Sequence, residues 1–76
     1  MKLSRTEFVV AAYVADGYEK KEIAQKLYRS YDTIAAHIRN IRKRNNLRNM
    51  ADLAGKFALE YGNPKDFIVP KQKQEC

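Results

Sequence analysis

Seventy-six residues with 15 Lys or Arg against 9 Asp or Glu carry a formal charge of +6, and 45% of the chain is apolar. That length is one domain, its small buried fraction leaves no room for a large catalytic cleft, and ordinary apolar content with both charge signs excludes a wholly disordered chain. No apolar run reaches the roughly 18 residues of a membrane span, the start MKLSRTE lacks a signal-peptide core, and the lone Cys76 has no disulfide or metal-cage partner, so a soluble cytoplasmic protein with no membrane partner is expected.

Ser4 followed three residues later by Glu7 forms a capping box, with Leu3 and Phe8 at staple positions. Phe8, Val10, Ala11, Val14 and Ala15 supply the apolar period, and Gly17 suits a left-handed end, so a first helix is predicted over about 4–16. The second helix has Ile23, Ala24 and Leu27 on one face and a poor N-cap, although Glu19 and Glu22 favour the positive end of its dipole. Only Tyr28 and Arg29 then precede Ser30, a good N-cap, after which Ile34, Ile38 and Ile41 repeat with His37 beside them. This third helix should end near Asn45 or Asn46, residues that tolerate left-handed backbone. Asn49 caps a fourth helix whose apolar face is Leu53, Ala54, Phe57, Ala58 and Tyr61, stopped by Gly62 and Pro64. The reading is all-α: a four-helix domain over 1–62, then a partly flexible tail over 63–76 that carries Phe67, Ile68 and Val69.

The charge is localised. Residues 1–25 hold four basic and four acidic side chains, residues 49–76 again four of each, and residues 26–48 set Lys26, Arg29, Arg39, Arg42, Lys43, Arg44 and Arg48 against Asp32 alone. A short turn between two helices, with the basic block on the second, points to a helix-turn-helix nucleic-acid binder; a solvated basic face without a partner is the plain alternative.

Leu3, Ser4, Glu7, Gly17, Lys21-Glu22-Ile23-Ala24, Leu27, Ser30, Thr33, Ile34, His37, Asn40, Ile41 and Ala51-Asp52-Leu53 together resemble the LuxR/NarL/GerE-type DNA-binding domain. The likeness runs from residue 3 to about 61 without insertion or deletion. It implies a transcription regulator whose third helix, about 30–45, reads the major groove of double-stranded DNA and whose fourth helix often supports dimerisation. Met1 just ahead of the first helix favours a stand-alone regulator of the GerE type over a fragment.

Within that frame Ala35, Ala36 and Arg39 are the candidate base contacts. Ala36 can touch a thymine methyl, and Arg39 has the forked reach for guanine O6 and N7, its alternative being a phosphate contact. The lysine common in the resembled family stands here as Ala35, so that contact is missing. Lys21, Ser30, Thr33, His37, Arg42, Lys43, Arg44 and Arg48 are the candidate phosphate contacts, with Ser30 an N-cap first. Arg29 and Asn45 replace residues that are commonly apolar in the family, and the second change bears on the last turn of helix three.

Met50, Ala54, Phe57 and Tyr61 form a candidate face for a weak homodimer, although Leu53, Ala54, Phe57 and Ala58 are also wanted by the protomer's own core. Rival functions are a sigma region-4-like module acting inside RNA polymerase and a helical adaptor that docks an acidic protein surface. No cofactor, metal set, nucleophile–base pair or phosphate loop is present in the sequence pattern, so an enzyme is not expected.

Overall fold

The computed structural model describes residues 1–68; Val69 and Cys76 lie outside the described residues. Four α-helices follow one another: α1 Arg5–Ala15, α2 Lys20–Leu27, α3 Tyr31–Arg44 and α4 Met50–Tyr61, with a single 3-10 turn at Pro64–Phe67. Among the described residues there is no strand.

Each helix starts where a side chain can satisfy its first amides. The Ser4 hydroxyl accepts the Glu7 N–H at 3.2 Å while the Glu7 carboxylate accepts the Ser4 N–H at 3.0 Å, completing the expected box at α1. At α2 the Glu22 carboxylate accepts the Glu19 N–H at 2.9 Å, so the weak cap is mended from inside the helix. Ser30 accepts the Thr33 N–H at 3.2 Å, and Asn49 accepts the Asp52 N–H at 2.9 Å. The ends are equally local: Gly17 and Gly62 take φ of +91° and +89°, values that a Cβ disfavours.

Helix α1 is the hub, packing on α2, α3, α4 and the 3-10 turn. That position explains why Val10, Ala11, Ala12, Tyr13 and Val14 are buried in succession rather than as one stripe. Helices α3 and α4 meet it with ordinary amphipathic faces, Ile34, Ile38 and Ile41 from one and Leu53 and Phe57 from the other, all at most 2% exposed. Leu47, in the α3–α4 loop, and Tyr18, after α1, complete the core; Tyr18 sets its ring edge-on to Tyr13 at 5.0 Å.

Two boundaries differ from the sequence expectation. Ala58 is exposed, so the buried face of α4 is narrower than the periodicity implies. The packed unit also continues past residue 62, because Phe67 stacks edge-on against Phe8 at 5.0 Å, Phe8 meets Tyr61 at 5.0 Å and Phe57 at 5.3 Å, and Ile68 packs on the core. Lys65 adds an ion pair to Asp16 at 2.8 Å. The first part of the tail, residues 63–68, therefore packs one side of Phe67 and Ile68 on the α1–α4 aromatic cluster, while Phe67 stays 41% exposed.

Candidate nucleic-acid interface

The geometry of the site follows from how α3 is held. Tyr28 closes α2 in the left-handed conformation at φ 56° and ψ 45°, the Arg29 N–H reaches back to the Ala24 carbonyl at 2.9 Å, and Ser30 starts α3. This compact turn presses the Ile34, Ile38 and Ile41 side of α3 into the core and leaves the opposite side outward.

On that outward side Arg39 and Lys43 are exposed, and Ala35 and Ala36 are half-buried methyl-bearing positions one turn earlier. Among the described residues neither Arg39 nor Lys43 has an ion-pair partner. Arg29 and Arg48 are exposed at the two ends of the helix. Asp32 lies on the same outward stripe, a turn ahead of Ala36 and two ahead of Arg39.

Ser30 and Thr33 are brought together at the start of α3, their hydroxyls 2.9 Å apart, so each is engaged in the local cap while still close to the surface. Lys21 is exposed at the start of α2, beside an open groove of about 410 Å³ lined by Glu19, Lys20, Lys21, Tyr31 and Met50. The starts of α2, α3 and α4 converge on this groove.

Three expected phosphate contacts occupy other positions. Arg44 donates from its guanidinium to the Glu7 carboxylate, an ion pair between the last turn of α3 and the first turn of α1. Arg42 is half-buried and donates from Nη2 to the Arg48 carbonyl, stapling the α3–α4 loop, while its Nε is buried without a partner among the described residues. His37, two residues before Arg39 and hence about 200° round the helix, is half-buried on the side of α1, close enough for its charge to act on Glu7. Charge makes Arg42 and Arg44 candidates in the sequence and the resemblance does so for His37; the acceptors that engage Arg42 and Arg44 come from segments 6 and 37 residues away in the chain.

The residues expected to form a self-association face are only partly at the surface. Phe57 is fully buried, Met50 lines the groove between the helix starts, and Ala54 and Tyr61 are half-buried. The outward face of α4 carries Ala51, Gly55, Ala58 and Leu59 instead, with Leu59 87% exposed.

Among the described residues no group of three His, Cys, Asp or Glu side chains could hold a metal ion, and no helix is long and apolar enough to cross a membrane.

A family described as bacterial regulatory proteins, luxR family, matches residues 1–57. The chain is also 38% identical over 58 residues to the oxygen regulatory protein NreC of Staphylococcus carnosus (strain TM300). That match covers 76% of this chain but only 26% of the relative, so the chain spans a minor part of the relative's length. No solved structure matches the chain.

Proposed function

Because the chain belongs to the luxR family of bacterial regulatory proteins, we propose that it is a double-stranded DNA-binding regulator of transcription that seats α3 in the major groove. The observation that carries this reading is the two-sidedness of α3. Ile34, Ile38 and Ile41 anchor one side, and Arg39 and Lys43 stand exposed and unpaired among the described residues on the other.

In this reading Arg39 bridges guanine O6 and N7, and the small side chains of Ala35 and Ala36 let the helix approach the groove floor and meet a thymine methyl. Lys43, Arg48 and Lys21 contact phosphates, and the Ser30–Thr33 hydroxyl pair offers a further phosphate donor at the helix start. Arg42 and Arg44 act differently: they fix α3 to its neighbours and add only to the long-range positive potential.

A single helix covers a short site, and the outward face of α4 offers a second source of affinity. Ala51, Gly55, Ala58 and Leu59 would join two protomers weakly, tightening on paired half-sites about one helical turn apart. Leu59, 87% exposed among the described residues, supports that face over the Met50, Ala54, Phe57 and Tyr61 side, where Phe57 is fully buried.

The test is binding to random-sequence duplex across a salt series. Log affinity should fall linearly with log salt at about −0.9 per phosphate neutralised, giving a slope near −3 for Lys43, Arg48 and Lys21. An adaptor for acidic proteins would bind the duplex weakly and without that slope, and such a result would remove the DNA reading.

A further inference from the structure

The outward stripe of α3 has one residue of the wrong sign for a polyanion. Asp32 is exposed in the first turn of the helix, and among the described residues its side chain makes no ion pair and no hydrogen bond. It is also the sole acid between residues 26 and 48. Seven residues separate it from Arg39, which is a rotation of about 700°, or only about 20° off the same line along the helix. The positions between them on that line are Ala35 and Ala36, whose methyl groups are too short to screen the carboxylate from whatever the stripe faces.

The cap of α3 does not depend on it, since Ser30 and Thr33 supply that bond. A carboxylate carried into a groove between two rows of phosphate weakens binding to duplex in general. The loss is offset only where a base presents an amino group for it to accept. In the major groove cytosine and adenine offer amino groups, N4 and N6, but adenine sets its N7 acceptor beside N6, where it repels the second carboxylate oxygen, whereas guanine presents only acceptors and thymine an acceptor and a methyl.

Resting on the DNA-binding reading above, we propose that Asp32 is a specificity-determining residue that accepts a hydrogen bond from cytosine N4 and rejects guanine and thymine at one position of the site. At 1.5 Å per residue Asp32 lies about 10 Å from Arg39 along the helix, so that cytosine falls about three base pairs from the guanine read by Arg39. Attraction to one base and repulsion by others then act through the same oxygen atoms.

The experiment is selection of binding sites from a random duplex library by the full chain, the Asp32→Ala variant and the Asp32→Asn variant, with circular dichroism melting to confirm that each is folded. The wild type should prefer cytosine about five- to hundredfold at one position. Asp32→Ala should flatten that position to within about twofold and bind random duplex more tightly, because a negative charge has left the interface. Asp32→Asn should move the preference to adenine, whose N6 and N7 pair with a side-chain amide. Identical base preferences for all three proteins, or a wild-type preference for adenine, guanine or thymine wherever Asp32→Ala alters the pattern, would overturn the assignment while leaving DNA binding intact. A wild type with no preference at any position would instead bring down sequence-specific reading itself, and this assignment with it.

Discussion

Glu7 and Arg44 join the first turn of α1 to the last turn of α3, and one carboxylate serves both the helix cap and the ion pair. Glu7 is 5% exposed. Burial pushes its pKa up, but the Ser4 N–H, the Arg44 guanidinium and the nearby charge of His37 more than offset that, and the carboxyl ends below its ordinary value. The arrangement sets the C-terminal end of the basic helix at a fixed distance from the hub of the fold.

Stability should therefore depend on pH in a definite direction. A carboxyl whose pKa is lowered by folding stabilises the native state fully above its unfolded value and loses that contribution as pH falls through the lowered one, here below about pH 4.3. Urea denaturation at pH 7 and at pH 3.5 should show a loss in the wild type that is smaller in Glu7→Gln. At pH 7, Arg44→Ala should lower stability by about 1–2 kcal/mol, a charged hydrogen bond discounted for the half-exposed guanidinium, and change duplex affinity less than Lys43→Ala does.

Asn45 predicts a different loss. Its side chain accepts the Lys2 N–H at 2.6 Å and donates to the Lys2 carbonyl at 3.1 Å and the Ile41 carbonyl at 3.0 Å. Asn45→Leu, which restores the apolar type common in the resembled family, removes all three bonds and should cost about 1–2 kcal/mol. Amide hydrogen exchange at Lys2 should accelerate in the variant while exchange in α4 follows only the change in global stability.

The glycines separate in the opposite sense. Gly55 lies inside α4 with open space where a Cβ would be, so Gly55→Ala should stabilise the protomer by up to about 1 kcal/mol. Gly62 holds a φ of +89°, and Gly62→Ala should destabilise it by about 1 kcal/mol or more. Thermal melting of the two variants beside the wild type gives both signs directly.

Leu59 is 87% exposed, and Leu59→Glu should leave the melting temperature of the protomer within a few degrees of wild type. On a duplex with two half-sites the same change should abolish cooperative binding, read as loss of the doubly bound species in sedimentation. Phe57→Ala, by contrast, should cost about 3–5 kcal/mol through the core alone.

Much of the fold was legible because its signals are local. Ser4 with Glu7, Ser30, Asn49, Gly17 and Gly62 act within one turn of themselves, and the Ile34, Ile38, Ile41 period is short and clean. What stayed hidden depends on distant partners. Ala12 and Tyr13 are buried because α1 is wrapped on several sides, which turns an apparent outer face into core. Helix rotation already takes Arg44 about 140° from the Arg39 line, but the acceptors that engage Arg42 and Arg44, the Arg48 carbonyl and the Glu7 carboxylate, follow from no spacing rule. Phe67 packs on Phe8 across most of the chain, within the segment that the sequence presents as a partly flexible tail. The departure at Asn45 was visible, whereas its hydrogen bonds to Lys2 were not.

The central claim, that the exposed basic side of α3 reads and grips a duplex, is tested most directly by measuring Arg39→Ala and Lys43→Ala on the selected site and on random duplex. Arg39→Ala should lose about 1–3 kcal/mol on the selected site with base preference flattened at one position, while Lys43→Ala weakens both duplexes alike and lowers the salt slope by about one. Wild-type affinity retained by both variants on both duplexes would contradict it.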